Sequence, residues 1–125
     1  MFLQYYVTES TTGNQVNIEI NEATKTDLDA TRNGWQTVWN TDFILDPQKE
    51  KYAAKTEDGE IIALGAYRVQ KGSVAVYIAY IESQPESNPT LTEHKKYSGI
   101  GKAMIAFGIQ LSIHARCTGV VVFEA

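Results

Sequence analysis

Cysteine is almost missing from this chain. Cys117 stands alone, so no intrachain disulfide can form and no thiolate metal cluster can be assembled from one chain; a reducing, cytoplasmic setting is the expectation. Long apolar runs are missing too. None approaches the length needed to cross a bilayer, and Met1-Phe2-Leu3-Gln4-Tyr5 carries neither the basic nor the long apolar stretch of a signal peptide, so no membrane association is expected. Basic residues are in deficit: 11 Lys and Arg against 15 Asp and Glu give a net charge of −4. That argues against nucleic acid as a partner, because such affinity comes mainly from phosphate neutralisation over a broad basic surface. The two histidines, His94 and His114, share no metal-ligand spacing with the acidic residues, and no metal is expected.

What the chain does have is an ordinary globular composition, 43% hydrophobic and 21% charged over 125 residues, enough for one domain, residues 1–125, with a modest core. Residues 3–7 alternate loosely, Ser10-Thr11-Thr12-Gly13-Asn14 is a turn cluster, and Val16, Ile18 and Ile20 alternate with polar residues. This is the pattern of a short strand, a turn and a half-buried strand. Thr24 then caps a helix with Asp27 in its first turn, where a carboxylate is favoured. Leu28, Thr31, Arg32, Trp35, Val38 and Trp39 keep helical spacing and Asn33-Gly34 interrupts it, so two short helices are expected.

After Pro47, residues 51–56 and 60–70 read as strands joined by Asp58-Gly59, and Lys71-Gly72 turns the chain into a third strand from Val74, giving three consecutive antiparallel strands. Residues 74–81 are apolar or aromatic on both alternating sets, which a strand covered on both faces requires, so this strand is expected at the centre of the sheet. Residues 82–89 turn polar and carry Pro85 and Pro89, and pairing should stop there. A helix apolar on most of its circumference spans 100–115. Val120-Val121-Val122-Phe123 forms a last strand, again apolar on both faces.

Between the expected central strand and that helix lies His94-Lys95-Lys96-Tyr97-Ser98-Gly99-Ile100-Gly101-Lys102. Two glycines one residue apart let the backbone turn sharply with several N–H groups pointing one way. The helix that follows aims its first unpaired N–H groups at whatever sits in the turn. Lys95, Lys96 and Lys102 surround it in a chain of negative net charge, a local field that favours phosphate. The flanking strands would be parallel neighbours across a strand, helix, strand unit. The plain alternative is a tight turn with no ligand.

Lys96-Tyr97-Ser98-Gly99-Ile100-Gly101 resembles the Gln/Arg-x-x-Gly-x-Gly/Ala signature of the GCN5-related N-acetyltransferase (GNAT) superfamily. Lys96 replaces Gln or Arg, which keeps a cation but loses the planar geometry. The order of elements from Asn17 onward is similar as well, although the connection 84–94 is longer than that family's. The resemblance implies an α/β (α+β) fold with a mixed, mostly antiparallel central sheet and a β-α-β unit that binds acetyl-CoA. It also implies a helix and two more strands after Val120-Val121-Val122-Phe123, which this sequence does not contain. A truncated family member is therefore expected and, with an apolar terminal strand left open, self-association as a homodimer.

The activity implied by the resemblance is transfer of an acetyl group from acetyl-CoA to a primary amine of a small molecule or peptide. In that family the strand before the loop and the strand after the helix splay apart, and the pantetheine arm lies in the gap. Carried onto this sequence, Tyr97, Ser98, Gly99, Ile100, Gly101 and Lys102, with Lys96, would hold the pyrophosphate. Ile81, Glu82 and Ser83 would offer main-chain groups to the pantetheine and thioester.

The chemistry sets its own demands. A lysine-like amine, with a pKa of about 10.4, is mostly charged at neutral pH and must lose a proton, so a general base is expected, together with an N–H that polarises the thioester carbonyl. Glu82 is the only carboxylate at that strand's end and is the candidate base, set against the plain reading of a polar residue marking the terminus. Trp35 and Trp39 would line an acceptor pocket or, as paired aromatics more often do, fill the core. Asn88 reads as turn chemistry or a ligand contact, and Cys117 as a packed small residue. Two rival functions stand beside the transferase. A dinucleotide-binding oxidoreductase is disfavoured because Met104 stands where a third small residue belongs; a GNAT-like module would bind CoA or oligomerise without turnover.

Overall fold

Short turns lay down most of the sheet. The computed structural model describes residues 4–39, 41 and 46–123. In it β1 (Tyr5–Glu9) and β2 (Gln15–Glu22) form one hairpin, and β3 (Lys49–Thr56), β4 (Ile61–Arg68) and β5 (Val76–Ser83) follow one another through tight connections. At the β3–β4 tip Gly59 takes a φ of +85°, a left-handed conformation that costs glycine nothing. Two short strands complete the sheet, β6 (Tyr97–Ser98) and β7 (Val121–Phe123), in the spatial order β6-β1-β2-β3-β4-β5-β7. Every neighbouring pair is antiparallel except β5 and β7, which are parallel. The fold is thus mixed α+β: among the described residues, a curled and mostly antiparallel seven-stranded sheet with two helices.

The first helix, α1 (Lys25–Asp29), begins as its sequence requires. Asp27 donates its N–H to Thr24 Oγ1 at 3.1 Å, and the Thr24 N–H donates back to Asp27 Oδ2 at 2.9 Å, a reciprocal capping box. The helix tightens into a single 3₁₀ turn at Ala30–Arg32. The second, α2 (Ile100–His114), lies across one face of the sheet. Its first half packs Ile100, Ala103 and Met104 against Val7, Ile18, Ile62 and Ala63; its second half brings Phe107 against Tyr52, Tyr67, Val76 and Ile78. On the opposite face Leu28 and Trp39 cover Ala53, Leu64 and Ala66.

Several expectations need correcting. β5 is not the centre of the sheet: it lies next to β7 near one edge, and Tyr77 is 37% exposed. The β1–β2 hairpin adds two strands on the β3 side, which moves the centre away, and β4 is the strand buried along nearly its whole length. The second of the two short helices does not form over residues 35–39. There the N–H groups of Gln36 and Thr37 donate to Glu82, and that of Trp39 donates to Thr31 Oγ1 at 2.8 Å, so side chains satisfy the backbone in place of a helical ladder. Residues 40 and 42–45 lie outside the described residues. β7 is apolar as expected, but Val122 and Phe123 are 41% and 60% exposed. Among the described residues no helix is long and apolar enough to cross a membrane.

Candidate functional site

A bulge prepares the end of β5. Ala66 faces Tyr80 and Tyr67 faces Ile78 across β4, so Ala79 is left without a cross-strand partner. One extra residue reverses the alternation of the strand. Val76, Ile78 and Ile81 share the α2 side, whereas Tyr80 packs with Trp39 on the other. β5 pairs with β7 only at Val76, Tyr77 and Ile78. From Ala79 to Ser83 it has β4 on one side and, among the described residues, no strand on the other.

The connection that follows is organised by buried polar groups. Gln84 donates its N–H to Ile62 O at 2.8 Å, a 3₁₀ turn occupies Pro85–Ser87, and Lys96 N–H returns to Glu86 O at 2.9 Å. Ser87 Oγ donates to Gln84 Oε1 at 2.9 Å and accepts the Tyr97 N–H at 3.1 Å. Asn88 accepts the Thr90 N–H at 2.9 Å, the turn chemistry its type suggests, and also donates to Gln36 Oε1 at 2.9 Å. The connection therefore doubles back and delivers β6 alongside β1, Thr8 opposite Ser98 and Glu9 opposite Tyr97. Tyr97 and Ser98, expected in a ligand-holding turn, are in fact strand residues.

Gly99 then turns the chain into α2 with φ +88° and ψ +7°, where any side chain would be strained. It offers no side-chain cap, and the first helical bond runs from Ala103 N–H to Gly99 O at 3.0 Å. The N–H groups of Ile100, Gly101 and Lys102 precede that bond and have no partner within the helix. A Cβ built on Gly99 or Gly101 meets no heavy atom within 4 Å. Beside this helix start a groove of about 560 Å³ runs between β1 and α2, with Ser98, Gly99, Lys102 and Ala103 in its wall. The uncapped start of α2 and Lys102 thus lie beside an open groove.

The three lysines divide. Lys102 lines the groove and Lys95 is exposed. Lys96 is held by Glu60, Nζ to Oε2 at 2.9 Å, and its Nζ lies 5.4 Å from the Tyr97 ring centre. Glu60 also accepts Gln84 Nε2 at 2.9 Å and the Tyr97 hydroxyl at 3.1 Å. Burial pushes the Glu60 carboxyl upward, but the donors from Gln84, Lys96 and Tyr97 and the Lys96 charge outweigh it and hold it below the ordinary carboxylate range. The hydrogen bond to Glu60 in turn raises Lys96. Sequence reading missed Glu60 because it lies 36 residues from Lys96; the one local signal was its position just after the Asp58-Gly59 turn.

Ile81 packs against the cluster that contains Ile100, Ala103 and Met104, beside the helix start, and Ser83 is half-buried at the end of the strand. Glu82 is elsewhere. It is 4% exposed and accepts Gln36 N–H at 2.7 Å, Thr37 N–H at 3.3 Å and Trp39 Nε1–H at 2.9 Å. The expected general base is thus the anchor of segment 36–39, on the side of the sheet away from α2. Trp39 is fully buried core, whereas Trp35 borders a cavity of about 330 Å³ with Asp27, Glu60 and Gln84. Cys117 is buried, as a packed small residue should be. Among the described residues no three His, Cys, Asp or Glu side chains come together as a metal site requires. A scan against protein-family models finds no match for this chain, and no curated protein matches it.

Proposed function

We propose that this chain is an acyl-CoA-dependent N-acyltransferase of the GNAT type, taking acetyl-CoA as co-substrate and a primary amine as acceptor. The observation that carries the reading is the start of α2. A left-handed glycine opens the helix, the leading N–H groups have no partner within it, a Cβ on Gly99 or Gly101 would meet no atom within 4 Å, and the helix falls in chain order between β5 and β7, which are parallel neighbours. When bound, acetyl-CoA supplies the reactive thioester. The N–H groups of Ile100, Gly101 and Lys102 would bind its diphosphate with the helix dipole and the Lys102 charge behind them. The stretch of β5 beyond Ile78, with its bulge at Ala79, would offer main-chain groups to the extended arm. Ile81 would shield that arm from water, and Ser83 would flank its reactive end.

In this reading Glu82 positions rather than abstracts a proton, because its oxygens are already occupied by N–H donors. The same observation favours a second reading, a module that binds CoA without turnover. Incubation with acetyl-CoA and a panel of amines separates the two. Acyl transfer releases free CoA thiol; ligand a hundredfold above Kd also stabilises the fold by about 2.7 kcal/mol. Stabilisation without thiol release supports the binding module, and absence of both refutes the proposal.

A further inference from the structure

We propose that Glu60 is an internal competitor for the anion site: it holds the Lys96 ammonium until an arriving diphosphate draws that charge away. The inference rests on reading the start of α2 as a diphosphate site. The backbone before Gly99 does not need Glu60. Lys96 N–H is held by Glu86 O, Lys96 O by the Ser10 N–H, Tyr97 N–H by Ser87 Oγ, and Ser98 by pairing with Thr8. What Glu60 determines is the direction of the Lys96 head group.

That pair is built to exchange. The two side chains are 45% and 31% exposed, so their attraction is weakened by water. Glu60 is not orphaned when Lys96 leaves, because Gln84 Nε2 stays on Oε2 and the Tyr97 hydroxyl stays on Oε1. Lys96 sits three residues before Gly99, on a flexible four-carbon stem whose charge can be re-aimed without moving the backbone. A diphosphate carries more negative charge than one carboxylate and attracts the ammonium more strongly.

The test is calorimetric titration of CoA, and separately of inorganic pyrophosphate, into the wild type, Glu60→Gln, Lys96→Met and the double variant. Glu60→Gln keeps the size of the side chain and an acceptor oxygen. It should tighten CoA roughly two- to five-fold, the scale of an exposed ion pair. Lys96→Met should weaken binding, and the gain from Glu60→Gln should vanish in its background. Glu60→Asp, which keeps the charge at shorter reach, should fall between wild type and Glu60→Gln. If the wild type binds and Glu60→Gln binds equally or more weakly, or if the gain survives Lys96→Met, the competition is refuted while the diphosphate site stands. A wild type that binds neither probe removes the site and the competition together.

Discussion

The indole N–H of Trp39 donates to Glu82 Oε1 at 2.9 Å, with the indole stacked on Tyr80 at 5.4 Å. Together with the bonds from Gln36 and Thr37, this fastens the segment after Gly34 to the end of β5. Glu82→Ala strips a buried acceptor from three N–H groups and is expected to cost about 3 kcal/mol in urea unfolding. Glu82→Gln should cost less, and any loss of the proposed acetyl transfer should follow its loss of stability. A Glu82→Gln protein with an unchanged unfolding midpoint and no turnover would return the base role to Glu82.

The two glycines of the turn should respond with opposite signs. Gly99 sits at φ +88°, so Gly99→Ala is expected to destabilise by about 1 kcal/mol. Gly101 lies inside the first turn of α2, and a Cβ there meets no atom within 4 Å. Gly101→Ala should stabilise by up to about 1 kcal/mol through helix propensity. Gly101→Trp should leave the fold intact and abolish the shift in melting temperature with CoA. Thermal unfolding of the three variants, with and without CoA, checks all of this.

Tyr67 occupies a slot that only glycine leaves open. Its hydroxyl donates to Met104 O at 2.7 Å, and a Cβ on Gly65 would stand 2.7 Å from its ring and 2.9 Å from Met104 Cε. The ring is buried between β4 and α2 and cannot swing away. Gly65→Ala is therefore expected to cost about 1–3 kcal/mol by overpacking, measured by chemical denaturation.

Stability should fall with acid, and the sign follows from two carboxylates. Burial raises the Asp27 carboxyl, but the Thr24 N–H, the Lys55 ammonium at 2.9 Å and the Thr24 hydroxyl outweigh it, so it lies below its ordinary value, as Glu60 does. The folded state then binds fewer protons than the unfolded chain, whose carboxylates titrate at about 3.9–4.3. Their stabilisation is full above about pH 5 and drains away as pH drops through that range toward the folded values. Melting temperature measured from pH 7 to pH 3 should decline most steeply below pH 5, and Asp27→Asn combined with Glu60→Gln should flatten the decline.

Local chemistry was legible in the sequence where a few neighbouring residues decided it. Thr24 and Asp27 announced a helix start, Asp58-Gly59 its turn, and the apolar circumference of residues 100–115 a helix laid against the sheet. The β5–β7 parallel pair followed from the strand, helix, strand order. Sequence was silent where the deciding partner lay far along the chain. Helical spacing through Trp35 and Trp39 was overridden by Glu82, 43 residues from Trp39. Tyr97 and Ser98 became a strand because β1 was there to pair with them. The centre of the sheet was misplaced because an apolar pattern does not say how many strands lie on each side, and the β1–β2 hairpin adds its two strands beyond β3. Lys96 read as a free cation only because Glu60 was out of sight.

Whether the amides opening α2 grip a diphosphate, as proposed, is decided by backbone amide NMR during a CoA titration. The ¹⁵N-labelled protein should show its largest shifts at Gly99, Ile100, Gly101 and Lys102, with smaller ones at Ile81 and Ser83. Shifts confined to other parts of the chain, or none at millimolar CoA, would rule out a diphosphate site at the start of α2.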